Sequence, residues 1–463
     1  LDRRSFIKAA GVTALSLTAS RSFAAPQRRK PNIIYILADD LGYGELGCFG
    51  QKLIKTPNID RIAQKGIKFT QHYSGSALCA PSRCTLMTGK HTGHCYVRNN
   101  YRLPQEGNIP IPAGEVTVAE IMKKAGYKTA CIGKWGLGFP HSEGDPNNQG
   151  FDHWFGYNCQ RQAHNYYPDH LWRNQQKVML EGNKGPKQEQ YSHDLLTQES
   201  LQFIETSKDK PFFLYLPYTI PHTKFQVPDL GQYAEKDWKQ KHKIQAAMIS
   251  RMDADVGKIV DLLQKHGIED DTLVIFTSDN GPHGAAGTID KFKSDGGLRS
   301  RKGRLYEGGI RVPMVAQWPG MIEPNTTTDH ISAFWDFLPT CAELAGTKCP
   351  DDIDGVSFAP TLLGKKDKQK EHKYLYWELG RRQAIRKGDL KAIRRIKKDR
   401  SKDTVELYNL TEDLTEQNDI SKERPELVKE MVAIMENAHK PSTVYPLYPS
   451  EKSERPDSVK HMF

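Results

Sequence analysis

The feature that most restricts the fold is a set of short apolar runs with no polar alternation. The first is Asn32-Ile33-Ile34-Tyr35-Ile36-Leu37-Ala38, and similar runs recur at Lys128–Ile132, Phe212–Leu216, Leu273–Thr277 and Pro313–Gln317. A strand with one wet face alternates apolar and polar residues. An unbroken β-branched run instead suits a strand covered on both faces, as in a parallel sheet. Helical stretches with end signals lie between the runs. Pro57–Gln64 follows Thr56 with proline at its first position, while Thr117–Ala125, Gln245–His266 and Phe334–Ala345 each stop at a glycine, Gly126, Gly267 and Gly346. Strands alternating with helices predict an α/β fold with a large, mostly parallel central sheet flanked by helices.

The pattern changes after about residue 365. A charged linker, Lys365–Lys373, leads to short strand-like pieces at Gln383–Arg386, Leu390–Ile393 and Glu406–Leu410 and a helical stretch at Glu426–Ala438. The predicted organisation is an export signal at 1–24, the α/β domain at 31–364, a small C-terminal α+β subdomain at 374–440 and a surface tail at 441–463. The signal is read from Arg3-Arg4-Ser5-Phe6-Ile7-Lys8, the mildly apolar run Ala9–Ala19 and the small-x-small site Ser22-Phe23-Ala24. That order resembles a twin-arginine signal, so export machinery is an expected partner and the expected location is periplasmic or extracellular. The run is too short for a stable membrane anchor, and no stretch of eighteen unbroken apolar residues marks a multispanning chain. The formal net charge is +10. Residues 1–24 hold four basic residues and one Asp, or +3 of it, which leaves +7 for the remainder. That excess suits an anionic substrate. No feature points to nucleic acid.

Two of the buried runs lead into oxygen ligands, Asp39-Asp40 and Asp279-Asn280-Gly281. Ligands of open α/β sheets bind beyond the carboxyl ends of the strands. Three carboxylates and an amide oxygen, with no His or Cys beside them in sequence, suit a hard divalent cation such as Ca²⁺. A third motif is Cys79-Ala80-Pro81-Ser82-Arg83, followed by Cys84-Thr85-Leu86-Met87-Thr88-Gly89-Lys90. Pro81 favours a first helical turn with Cys79 just ahead of it, where unpaired N–H groups and Arg83 would receive an anion.

Cys-x-Pro-Ser-Arg with Thr-Gly-Lys downstream resembles the formylglycine-dependent sulfatases of the alkaline phosphatase superfamily, over nearly all of the chain after the signal. The resemblance implies that a maturation enzyme oxidises Cys79 to formylglycine (3-oxoalanine). It implies that Asp39, Asp40, Asp279 and Asn280, with residue 79, hold Ca²⁺, and that Arg83 steadies the modified residue. Lys134, in Gly133-Lys134-Trp135, matches the family's sulfate-binding lysine. His222, in Ile220-Pro221-His222, matches the histidine at the leaving-group oxygen. Lys302, in Lys302-Gly303-Arg304-Leu305-Tyr306-Glu307-Gly308-Gly309, matches the lysine at the sulfate and bridging oxygen. The implied reaction is sulfate-ester hydrolysis through a covalent sulfo-enzyme hemiacetal. One position departs from the family: where Gly-Lys-Trp-His is common, this chain has Gly136, which leaves the base for hemiacetal collapse unassigned, with His141 the nearest candidate in sequence.

The stretch Gly138–Trp172 resembles bacterial polysaccharide sulfatases and mixes aromatics with Asn, Gln, His and Arg. Arg161, His164 and Tyr166 are candidates for contact with a sugar, as are His94 and Arg98 after the cysteine helix. A sulfated saccharide, of galactose type, is therefore the expected substrate. The alternatives are a phosphatase or phosphonate monoester hydrolase of the same superfamily and a non-catalytic binder of sulfated glycans. The seven cysteines other than Cys79 are odd in number, and their pairing is not legible in the sequence.

Overall fold

Alternate residues of Asn32–Ala38 feed two separate cores: Ile33, Tyr35 and Leu37 join one, Ile34, Ile36 and Ala38 the other. This is the double burial the unbroken apolar run demands. The computed structural model describes residues 30–455 and 459–461, apart from residue 105. The expected export signal at 1–24 lies outside them. Among the described residues no helix is long and apolar enough to cross a membrane.

The main sheet has ten strands. In order across it they are Thr326–Thr328, Ile67–Phe69, Met314–Gln317, Thr272–Ser278, Asn32–Ala38, Phe212–Pro217, Lys128–Lys134, His153–Tyr157, His170–Arg173 and Gln176–Met179. The five from Thr272–Ser278 to His153–Tyr157 are parallel neighbours. Met314–Gln317 runs antiparallel, and two further antiparallel strands close the opposite edge. The predicted mostly parallel α/β sheet is thus the observed one, with antiparallel margins.

Helices begin and end where local chemistry directs. Pro57–Gln64 forms as read. In Val118–Lys124, Thr117 accepts from the Glu120 N–H and Glu120 reaches back to the Thr117 N–H, a reciprocal cap. The long helix starts at Gln240, earlier than the apolar periodicity shows, because its first turn is polar. A four-stranded antiparallel sheet, Leu375–Glu378, Arg382–Lys387, Leu390–Arg395 and Thr404–Asn409, with the helix Pro425–Asn437, forms the C-terminal part. It joins the α/β part in one compact unit from Pro31 onward. A buried ionic knot helps to hold it there: Lys391 bonds Glu307 at 2.8 Å and Glu416 at 2.9 Å.

Most described residues after 440 are exposed or half-buried, but the segment is anchored. Tyr445 and Leu447 are buried, Tyr445 stacks on Tyr101 with ring centroids 5.0 Å apart, and Lys460–His461 pairs with Tyr101–Arg102. Sparse apolar anchors among Pro and Ser are enough to dock the segment. All eight cysteines are free thiols.

Candidate active site

Three strand ends and one helix start converge. Asp39 and Asp40 follow the central strand, Asp279 and Asn280 follow its neighbour Thr272–Ser278, Lys134 ends Lys128–Lys134, and Cys79 opens the helix Cys79–Thr88. The small loop before that helix is required by packing. A Cβ on Gly75 would lie 1.5 Å from Thr85 Oγ1. Gly75 N–H donates to Ser82 Oγ at 3.1 Å, and the Ala80 N–H at the helix start donates to Asn100 Oδ1 at 2.8 Å.

Charges of both signs interleave in this buried space. Arg83 donates through Nη2 to Asp279 Oδ2 (2.8 Å) and through Nη1 to the Lys134 carbonyl (2.6 Å). Lys134 Nζ binds Asp39 Oδ2, and Asp39 Oδ1 lies 3.3 Å from Cys79 Sγ. Lys302 Nζ lies 2.7 Å from Asp40 Oδ1, 3.4 Å from Cys79 Sγ and 3.0 Å from His222 Nε2. Asp40 sits at φ 66°, a left-handed conformation uncommon outside glycine, with its N–H donating to Asp279 Oδ1 at 3.1 Å.

The protonation states follow from these neighbours. Burial works to raise the Asp39 carboxyl, but Lys134 and Arg83 outweigh it and hold its pKa down. Burial and the Asp39 charge raise the pKa of Asp279 against the pull of Arg83. Burial, then Asp279 and Asp39, push the Cys79 thiol well above its ordinary range, so it is not a thiolate at neutral pH. Burial and the charges of Lys302 and Lys134 keep His222 neutral. Its Nδ1–H donates to the Thr223 carbonyl, which leaves Nε2 to accept from Lys302.

The oxygens fit a hard cation. Donor atoms of Asp39, Asp40, Cys79 and His222 lie within 4.8 Å of one another, and Asp279 and Asn280 adjoin them. Asn280 Nδ2 donates to Asp40 Oδ1 at 2.8 Å, while the buried Asn280 Oδ1 has no hydrogen-bond partner. A buried amide oxygen left unsatisfied beside carboxylates is what an oxygen-ligated divalent ion would complete.

The residues matched by motif come together here, whereas those assigned to a sugar site mostly do not. Tyr166 is fully buried and donates to the carbonyls of His222 (2.6 Å) and Thr219 (2.8 Å), so it positions the His222 loop. Tyr166→Phe should cost about 1–2 kcal/mol of stability, read by thermal denaturation, because two buried carbonyls lose a donor. Arg98 binds Glu378 (2.9 Å) and the Lys440 carbonyl (2.7 Å), tying the loop after the cysteine helix to the C-terminal part. His94 stacks on His91 and pairs with Asp354 at 2.9 Å. His164 stacks on His222 with centroids 3.8 Å apart, so it walls the buried cluster instead of standing outside it. Arg161 is exposed.

His141 is also exposed and remains at the surface, so it does not take the place of a histidine at Gly136. At Gly136, φ is 84° and a Cβ would lie 1.9 Å from Gln160 Nε2, so a buried glutamine fills that space. Sequence reasoning also missed His283, whose ring lies 5.6 Å from that of His222. It lies three residues beyond Asn280, so following the strand end slightly further would have found it. Asn100, just ahead of the short strand Tyr101–Arg102, carried no such signal.

The sulfatase family profile matches residues 31–347, and the profile of the C-terminal part of N-sulphoglucosamine sulphohydrolase matches residues 300–440. The N-acetylgalactosamine-6-sulfatase of Mus musculus is 34% identical over 82% of this chain and 74% of its own. The steryl-sulfatase of Homo sapiens is 32% identical over 75% of this chain and 72% of its own. Among solved structures, Ps i-CgsB superposes with a TM-score of 0.77 at 31% identity, covering 92% of this chain and 95% of that one, and it has also been solved with k-i-k-neocarrahexaose.

Proposed function

The chain belongs to the formylglycine-dependent sulfatase family and is a sulfate-ester hydrolase; from that premise we propose that it removes sulfate from a sulfated carbohydrate, using a formylglycine made from Cys79 and a bound Ca²⁺. The observation that carries this reading is the buried knot around Cys79, in which Lys134, Lys302 and Arg83 balance Asp39, Asp40 and Asp279. A divalent ion held by Asp39, Asp40, Asp279 and Asn280 would make that balanced cluster net positive, as an anionic ester requires. The carbohydrate half of the proposal draws on the saccharide complex of the similar Ps i-CgsB.

When present, the ion would draw charge from the sulfate oxygens and the formylglycine would supply a hydrated-aldehyde hydroxyl as nucleophile. The protein's own groups divide the remaining work. Lys134 and Lys302 place fixed positive charge around the sulfate position. Arg83, its charge secured by Asp279 despite burial, braces the start of the cysteine helix against the Lys134 carbonyl. Lys302, held protonated by Asp40, and His222 share one proton path through Nζ and Nε2, placed to protonate a leaving alkoxide. The residues at 1–24 are proposed to direct export, with a formylglycine-generating enzyme as maturation partner. The regions 31–364 and 374–440 are proposed as catalytic domain and C-terminal subdomain.

A phosphatase reading differs in one accessible measurement. Matured enzyme should release 4-nitrophenol from the aryl sulfate with kcat/KM at least about 100-fold above that for the aryl phosphate, since the two leaving groups are identical and only the anion differs. A preference for phosphate would overturn the proposal, and binding of sulfated glycans without release of sulfate would favour a non-catalytic binder.

A further inference from the structure

Beside Cys79 the site opens into a cavity of about 450 Å³, lined by Arg301, Lys302, Arg304, Arg382, Asn100 and His283 among others. That volume suits a sugar ring and a substituent. It is continuous with the reactive position: Lys302 lines it, with Nζ 3.4 Å from Cys79 Sγ, and so does Leu78, the residue before Cys79. Two separated segments supply its arginines. Arg301 and Arg304 flank Lys302, whereas Arg382 starts the second strand of the C-terminal sheet.

The lining is cationic: Lys302 is paired with Asp40, but the three arginines are not matched in this way. No carboxylate lines the cavity, and among the described residues none of the three arginines has a carboxylate within ion-pair distance. Elsewhere this chain pairs its arginines readily, as Arg98 with Glu378, Arg173 with Glu199, Arg251 with Asp194 and Arg394 with Asp403. Like charges gathered at one cavity destabilise one another. Partial burial, then Arg304 and Arg395, lower the pKa of Arg382.

A second observation is independent of charge. Asn100 is 2% exposed, and its Oδ1 already accepts from the Ala80 N–H. That fixes the amide orientation and leaves the buried Nδ2 as a donor with no acceptor. The buried His283 Nδ1 also lacks a partner. An unsatisfied buried donor, Asn100 Nδ2, at a cavity lined by arginines calls for an acceptor-rich anion.

We propose that this cavity is a subsite for a second anionic group of the substrate, a sulfate or a carboxylate carried by the saccharide in addition to the ester being cleaved. The inference rests on the sulfatase reading and deepens it: the preferred substrate is polyanionic, and the C-terminal sheet contributes to its selection through Arg382. Arginine suits this role because its planar fork binds two oxygens of one sulfate or carboxylate.

The test compares a monosulfated disaccharide with the same disaccharide carrying either a second sulfate or a uronate on the adjoining ring. The doubly charged substrate should have a kcat/KM about tenfold or more higher, the size of one or two charge-assisted hydrogen bonds. The Arg304→Gln/Arg382→Gln protein should bring that ratio down to about one, and raised salt should shrink it in the parent enzyme. The sulfate and uronate arms identify which anion is taken. Calorimetric binding of the same saccharides to Cys79→Ala protein gives a readout free of turnover. A ratio near one in the parent enzyme, or a preference that survives the double substitution, would overturn the subsite. Failure of the sulfatase reading shows separately, as no sulfate released from 4-nitrophenyl sulfate by matured enzyme, while the binding comparison still decides the cavity.

Discussion

Cys79→Ala should reduce sulfate-ester turnover by about 10⁴-fold or more, the scale of loss on removing an enzyme's nucleophile. The structure separates this from a folding defect. The side chain is small and 1% exposed, and its polar contacts are a sulfur 3.3 Å from Asp39 Oδ1 and 3.4 Å from Lys302 Nζ. Its loss leaves both charges with better partners, Lys134 for Asp39 and Asp40 for Lys302. Thermal denaturation should therefore shift by the equivalent of about 1 kcal/mol or less. Cys79→Ser, expressed in a host whose maturation enzyme accepts only cysteine, should be equally inactive although it restores a hydroxyl. That hydroxyl is a single one, whereas a hydrated aldehyde has a second to drive collapse. Mass spectrometry of the peptide spanning residue 79 should show an aldehyde in active wild-type protein. Full activity in protein whose residue 79 is entirely thiol would rule the modification out.

The parts of this fold that could be read in advance are those whose burial is purely apolar. The stretches 33–37, 213–216 and 273–276 of Asn32–Ala38 and its parallel neighbours hold only aliphatic and aromatic residues, and their few buried polar residues stand at the ends, so the run itself declares the strand. The helix Ser192–Ser207 went unread because its packed face mixes Leu196, Phe203 and Ile204 with buried polar residues. His193 is fully buried against Asp255 at 3.0 Å, and Glu199 bonds Arg173 at 2.6 Å. Those partners come from distant segments, so nothing local marks the face as inward. The edge strand Gln176–Met179 is mostly exposed and carries almost no apolar signal. In the site, Asp39, Asp40, Asp279 and Asn280 were legible because strand ends locate them. Lys134, His222 and Lys302 were legible only through family motifs, since no spacing rule brings together residues so far apart. The sugar loop misled because a tyrosine has an apolar body and a polar tip. Tyr166 uses both internally, and the sequence does not distinguish that from a residue facing a ligand. The cationic cavity was hidden for the opposite reason: Arg304 and Arg382 are unremarkable singly and meet only through the docking of the C-terminal sheet.

Asp279 carries the second large effect, and two substitutions separate its roles. Asp279→Ala leaves the guanidinium of Arg83, fully buried and 2.8 Å from that carboxylate, without its main counter-charge. Asp39 lies 3.9 Å from Arg83 and is already engaged by Lys134, so it compensates only in part. Breaking one half of a buried pair typically costs about 3–5 kcal/mol, so this protein should melt many degrees lower and could be lost on expression. Asp279→Asn is the informative variant. It keeps the volume and one oxygen, which can still accept from Arg83 or from the Asp40 N–H that now donates to Oδ1. Its stability loss should be smaller, while it removes a negative charge from the proposed Ca²⁺ ligands. Turnover should fall by about 10³-fold, the loss expected when a preorganised electrostatic contribution of about 4 kcal/mol disappears. The calcium concentration for half-maximal residual activity should rise, and added Ca²⁺ should raise the melting temperature of the parent more than that of the variant. A structural role alone would lower the melting temperature without moving the calcium titration. Turnover in the parent that survives exhaustive chelation would remove the metal from the site, and the buried Asn280 Oδ1 would then need another partner.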